Sequence, residues 1–276
     1  MAFSINTNVG AMAALQTLNA TNKNLSTTSS RINTGLNVAS TKDDSAKFTI
    51  AQTLRSDVGG LSAVTSSLQN AKSVTDVAVA GAEQISDLLN QMKTKAYEAS
   101  DAGISQESRD MINQDFNSLR DQVNTIIKGS EFNGINLLDS SFSGTTTVAA
   151  LQSLEVSDTL SVANQAMDTD VFASLTTDGI KDQGDAATMV GTIEGLITDV
   201  NGKLSTLGAA SRKIDGQLNF TSKLTDVIES GIGNLVDADL AKESAKLTAL
   251  QTQQQLGLQA LSIANQAPQT ILSLFR

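Results

Sequence analysis

The sequence predicts a mainly α-helical protein: a long antiparallel coiled-coil rod, a small β-hairpin region and a pair of terminal helices. Three observations carry this. Heptads run unbroken through residues 54–99 and again through 193–235. Aromatic residues are only 3% of the 276, with a single Pro, which suits seams between helices more than a thick globular core. Finally, no charged side chain occurs in residues 1–22 or in 247–275.

In chain order, residues 4–34 form a first helix with Leu18, Leu25 and Ile32 spaced by seven, and Gly35 stops it. After the connector Leu36 to Ser40, Thr41 is expected to cap the next helix, with Asp44 three residues on completing a capping box. That helix carries Leu54, Leu61, Leu68, Thr75, Ala82, Leu89 and Ala96, interleaved with Val64, Ala71, Ala78, Ile85, Met92 and Ala99. At about 1.5 Å per residue it is on the order of 80 Å long. Asp101-Ala102-Gly103 ends it, and Ser105 begins a third helix with the stripe Ile112, Phe116, Leu119, Val123 and Ile126. The short connection makes the two an antiparallel hairpin.

Phe132-Asn133-Gly134 is a turn signal. Alternation at Thr145 and Thr147, Leu154 and Val156, and Leu160 and Val162 predicts one or two β-hairpins over 144–163. Residues 165–185 read as a loop solvated by its aspartates. Heptads then resume with Ile193, Val200, Leu207, Ile214, Thr221, Ile228 and Leu235. Their register moves by one residue past Gly231-Ile232-Gly233, which reads as a joint, with Asp237 or Asp239 capping a last helix. That helix carries Leu240, Leu247, Gln254 and Leu261 beside Leu250, Gly257, Ala264 and Ile271.

Composition excludes several classes. A net charge of −10 leaves no basic patch to release phosphate counterions, so nucleic acid is not expected as a partner. The chain has neither His nor Cys, which removes the commonest general base, the commonest metal ligand and any disulfide. The uncharged C-terminal stretch is too rich in Gln, Thr and Ser to span a membrane. A secretory signal is also absent from the first residues. Gly202-Lys203 lacks the Ser or Thr and the upstream glycine of a phosphate loop. Asp168 and Asp170 begin like a calcium loop, but Phe172 and Ala173 stand where a ligand and the glycine belong. The Asn-x-Ser/Thr triplets at Asn19, Asn24 and Asn219 lie on heptad helices. An enzyme is not expected, and neither is a cofactor or a metal.

The ends point elsewhere. A surface helix normally backs its apolar stripe with charge. These present Ser, Thr, Asn, Gln and Ala instead, a back that tolerates being covered by protein. Both termini are therefore expected to be buried in a quaternary structure, while the central helices fold by themselves.

The same ends carry a family resemblance. Ile5-Asn6-Thr7-Asn8, Arg31-Ile32-Asn33-Thr34-Gly35-Leu36, Ala39 to Ala46, Glu131-Phe132-Asn133-Gly134-Ile135-Asn136-Leu137-Leu138 and Ala264 to Leu274 resemble, in order, the signature segments of bacterial flagellin. The resemblance covers about residues 1–140 and 190–276. It implies an inner terminal-helix domain (1–40 plus 237–276) and a helical rod domain (41–139 plus 186–236). A β-hairpin and loop cap (140–185) takes the place of outer domains. It implies a structural subunit that assembles head to tail into the helical flagellar filament, with termini that fold on polymerisation. A flagellar hook-associated junction protein is the alternative.

On this reading the assembly residues are Ile5, Val9, Met12, Leu15, Leu18, Leu25 and Ile32 with Leu240, Leu247, Leu250, Leu261, Ile271 and Leu274. The partners are further copies of the chain, the flagellar export machinery, a secretion chaperone, and hook-associated and cap proteins. The location is extracellular, in the flagellum, reached without a cleaved signal peptide. O-glycosylation candidates are Ser140, Ser141, Ser143, Thr145, Thr146, Thr147, Thr176 and Thr177. The chain departs from the family at Asn90 to Lys95, where Lys95 replaces a leucine that an animal immune receptor contacts in many flagellins.

Overall fold

The computed structural model describes residues 7–141, 147–176 and 179–274, with side chains described as far as residue 266. Six helices are present among them: α1 (Val9–Thr34), α2 (Ser45–Ser100), α3 (Gln106–Gly129), α4 (Met167–Asp170), α5 (Gln183–Val236) and α6 (Leu240–Leu274). Two antiparallel strand pairs complete the fold, β1 (Glu131–Phe132) with β2 (Ile135–Asn136) and β3 (Thr147–Leu151) with β4 (Thr159–Ala163). The chain divides into two compact units, one of Met1–Ser56 with Val227–Arg276 and one of Asp57–Asp226.

In the second unit the predicted heptads form the core. Leu61, Val64, Leu68, Ala71, Ala78, Ala82, Ile85, Leu89, Met92 and Ala96 of α2 are buried, as are Ile193, Val200, Leu207 and Ile214 of α5. α2 and α5 run antiparallel, since Lys72 pairs with Asp215 at 2.7 Å while Lys93, six turns on, pairs with Glu194 at 2.8 Å. Both pairs are solvated, so they align helices more than they stabilise them. α3 lays Phe116, Val123 and Ile127 into the same core. Its start is the one the sequence predicts, with the Ser105 hydroxyl accepting from the Ser108 N–H at 3.2 Å.

The turn Asn133-Gly134 is built from two residues with positive φ, 50° and 76°. That matches the mirror-image turn a two-residue hairpin requires. β3 and β4 bury Val148, Ala150, Leu160 and Val162 on one face, in a strict alternation. One correction follows: Leu154 and Val156 are not strand residues but exposed members of the 152–158 connection. Their spacing mimics a strand, yet no partner strand faces them.

Residues 165–185 are also less loop-like than predicted, holding α4, a 3₁₀ turn Phe172–Ser174 and the first turn of α5. Their aspartates tie the segment down. Asp168 accepts from the Ser140 N–H at 2.8 Å and hydroxyl at 2.7 Å. Burial pushes the Asp168 carboxyl up, but these hydrogen bonds outweigh it and hold it below its ordinary 3.8. The tether therefore stays whole above that value and is lost as pH falls through the depressed one.

The Lys203 ammonium donates to the Gln165 carbonyl at 2.6 Å and to Asp170 at 2.7 Å from a largely buried stem. Lys203→Met is expected to cost on the order of 1–2 kcal/mol. Hydrogen exchange checks this: amides of 165–175 should exchange faster while those of α2 stay unchanged.

In the first unit α1 and α6 pack antiparallel. Val38, Ala51 and Val236 form a small core with Phe48, Ile232 and Leu235 against it. Gly35 ends α1 in the left-handed conformation at φ 72°. Two details differ from the sequence reading. Asp44, not Thr41, caps α2, its carboxylate accepting from Lys47 N–H at 3.1 Å. Asp43 takes the connector instead, accepting from the N–H groups of Ala39 and Ser40. The expected joint at Gly231-Ile232-Gly233 is continuous helix, and the break falls at 237–239, where Asp239 accepts from Ala241 and Lys242 N–H at 3.1 Å.

Candidate functional site

The site is the pair α1 and α6. Asn8 caps α1, accepting from the Ala11 N–H at 3.0 Å, and its amide donates to the Ala264 carbonyl at 2.7 Å. Further along, Gln254 donates to Asn22 at 2.7 Å, and Arg31 reaches Glu243 at 3.3 Å. An antiparallel bridge between Leu36 and Asp237 closes the pair. These contacts step down α6 as they step up α1.

The predicted assembly residues divide into two groups. Leu18 and Leu250 are buried in the α1–α6 seam, and Leu25, Ile32, Leu247 and Leu261 are half-buried. Val9, Met12, Leu15 and Leu240 stand exposed, Val9 at 72% and Met12 at 62%. Ile5 lies outside the described residues, and Ile271 and Leu274 are placed only as helix backbone.

Three residues of the site were missed by the heptad reading: Leu256, Leu258 and Ile263, all exposed, Ile263 at 68%. Heptads mark the seam toward a known partner, so residues off the seam go unnoticed. Their signal was the missing charge around them. From Leu247 to Leu274, α6 carries no ionised side chain. These are therefore apolar side chains on an uncharged surface, unlike exposed Tyr97, which sits beside Lys93 and Glu194.

Glu243, in the first turn of α6, faces Arg31 of α1. It is 8% exposed, inside the seam. Lys95, at the departure from the family motif, pairs with Asp115 of α3 at 3.4 Å. Of the glycosylation candidates, Ser140, Ser141, Thr147 and Thr176 are all exposed, and Ser140 and Ser141 donate their hydroxyls to Asp168 and Asp139. Ser143, Thr145, Thr146 and Thr177 lie outside the described residues.

Among the described residues no cluster of three His, Cys, Asp or Glu side chains could hold a metal ion, and no helix is long and apolar enough to cross a membrane. What the site can do is present apolar surface for burial.

Known proteins give this surface its context. Residues 5–143 match the bacterial flagellin N-terminal helical region, and residues 190–275 match the bacterial flagellin C-terminal helical region. Flagellin FljM of Caulobacter vibrioides is 44% identical over 99% of this chain and 98% of its own length. Flagellin FljK of the same organism is 45% identical at the same coverage. A flagellin of Brucella melitensis is 38% identical over 99% of each chain.

Among solved structures, Bacillus cereus flagellin has a TM-score of 0.51 at 23% identity, covering 55% of this chain and 86% of that one. A protein described as flagellar hook-associated, from Vibrio parahaemolyticus, has a TM-score of 0.55 at 14% identity, covering 71% and 100%. Both likenesses are of fold alone. Two terminal helices whose outer ends carry no charge thus stand where the family's two terminal regions match, and the chain belongs to the bacterial flagellins, the structural subunits that assemble into the flagellar filament.

Proposed function

We propose that the outer faces of α1 and α6 are the surfaces through which copies of this chain bind one another in the filament. One observation carries the reading. Val9, Met12 and Leu15 on α1, and Leu256, Leu258 and Ile263 on α6, are exposed where no charge surrounds them. Burying a large aliphatic side chain is worth roughly 1.5–3 kcal/mol, and about half of each is still to be covered. Six such residues supply on the order of 5–10 kcal/mol, comparable with the roughly 4–15 kcal/mol that association costs. On this reading 1–40 with 237–276 form the filament core domain, 41–139 with 186–236 a helical rod domain, and 140–185 a cap.

The α1–α6 pair is held by few buried side chains, Leu18, Thr21, Thr28, Glu243 and Leu250 among the described ones. It therefore orders fully when neighbouring copies cover it, and the ordering cost is met at assembly. A terminus that is unfolded beforehand suits export through the flagellum's own channel without a cleaved signal peptide. A secretion chaperone, hook-associated proteins and a cap protein are the further partners on this reading. Ser140, Ser141, Thr147 and Thr176 are the exposed described candidates for O-glycosylation, and intact mass against the calculated mass decides it.

Met12→Glu and Ile263→Glu test the interface separately. Each places a carboxylate where an apolar contact is proposed, and an unpaired buried charge costs several kcal/mol. The concentration needed for high-salt polymerisation should rise about a hundredfold or more, since every 1.4 kcal/mol is tenfold. Circular dichroism should be unchanged. Polymerisation of both variants at wild-type concentrations would remove the reading.

A further inference from the structure

The seam between α1 and α6 is nearly degenerate in register. Its apolar members repeat at Leu18, Leu25 and Ile32 on one helix and at Leu247, Leu250 and Leu261 on the other, separated by Ser, Thr, Ala and Gln. Sliding α6 by one helical turn, about 5.4 Å, would set Leu18 against Leu261 and Arg31 against Leu247. A leucine seam survives that move. The Leu36–Asp237 bridge, with the Asn37 and Val38 N–H groups on the Val236 carbonyl and the Ala238 N–H on that of Gly35, holds the connector end of the pair, so any register device in the seam acts together with it.

Three contacts do not survive the slide. The Gln254–Asn22 hydrogen bond is one, since Leu258 would come opposite Asn22. Leu18 sits on Gly257, where a Cβ would stand 3.3 Å from the leucine Cδ1, so a larger residue brought there makes the leucine tip give way by a few tenths of an ångström. Arg31 and Glu243 form the ion pair of the seam, with Glu243 buried. After a slide Glu243 would be buried without a cation, which a low-dielectric seam penalises far more than it rewards the pair. The pair is made through one oxygen only, and Glu243 Oε2, Arg31 Nε and Thr28 Oγ1 are buried without hydrogen-bond partners. Such a pair adds little stability, but a single polar pair in an apolar seam is an established way of specifying register.

We propose that Arg31 and Glu243 are positioning residues that fix the register of α1 along α6. They thereby determine which of Val9, Met12, Leu256 and Ile263 come side by side on the outer faces. The consequence for assembly rests on the interface reading above, whereas the register itself does not.

Because the chain has no native cysteine, introduced pairs report register cleanly. Asn22→Cys with Gln254→Cys reports the observed register, since these side chains are in contact. Asn22→Cys with Leu258→Cys reports the one-turn slide. Disulfide closure is followed in both the sedimented polymer and the free chain. In the otherwise unaltered chain the first pair should close at least tenfold faster than the second. In the Arg31→Leu/Glu243→Leu background, which keeps an apolar seam, the ratio should fall to within about threefold.

A ratio that stays tenfold in that background overturns the proposal. Where that variant loses the helix pair altogether, Arg31→Glu/Glu243→Arg decides: recovery of the ratio supports the pair, and failure to recover it overturns the pair. A chain that never sediments but keeps the ratio defeats the filament reading and leaves this inference standing.

Discussion

Deleting residues 240–276 is expected to abolish filament formation and leave a helical monomer. The deletion removes α6, with Leu250 and Glu243 of the seam and the exposed Leu256, Leu258 and Ile263. It also strips α1 of its partner. α1 is rich in Thr, Asn and Ser, which favour caps and turns over helix interiors, and it buries only Leu18, Thr21 and Thr28. It should therefore melt with the deletion. Against the assembled full chain, helix content per molecule should be lower by more than the 35 residues of α6, toward the additional 26 of α1.

The second unit keeps its own core and should not notice. Sedimentation velocity should show a monomer in salt that polymerises the full chain, with a thermal transition still present. Pelletable filaments from the truncated chain would place the assembly surface elsewhere.

Phe116→Ala is the substitution expected to cost most in the second unit. Phe116 is fully buried, 0% exposed, and is the largest such side chain in the core. Removing it from a close-packed site costs about 3–5 kcal/mol. Met111→Ala, one turn earlier on α3 but 59% exposed, should change stability by less than about 0.5 kcal/mol. Urea unfolding of the two variants side by side checks the pair of values. A loss below about 1 kcal/mol at Phe116 would mean that α3 does not pack as described.

The helices of this chain were legible because helix–helix seams repeat every seven residues, and a period sustained over α2 and α5 admits no other reading. Local signals with a specific mechanism also held: the Ser105 cap, the Gly35 stop and the Asn133-Gly134 hairpin. What failed were choices between near-equivalent local solutions. Thr41 and Asp44 both offer capping oxygens, and the connector's fold, with Asp43 occupied at residues 39–40, decides between them. Leu154 and Val156 alternate like strand residues, but strand formation needs a partner that only tertiary structure supplies.

Asp168 and Asp170 were read as solvated because a carboxylate's partner is invisible when it lies 28 or 33 residues away. The proposed interface was half legible. Missing charge located both helices, but the heptads picked out the seam rather than the outward-facing Leu256, Leu258 and Ile263.

The central claim is that neighbouring copies cover the outer faces of α1 and α6, and methionine oxidation measures this directly. Met12 is exposed in the single chain, whereas Met92 and Met167 are fully buried and serve as internal controls. Peroxide converts an accessible thioether to its sulfoxide, and peptide mass spectrometry counts the product residue by residue. The account predicts that Met12 oxidises readily in the free chain and at least tenfold more slowly in sedimented filaments, with Met92 and Met167 slow in both. Equal oxidation of Met12 in filament and free chain would contradict it.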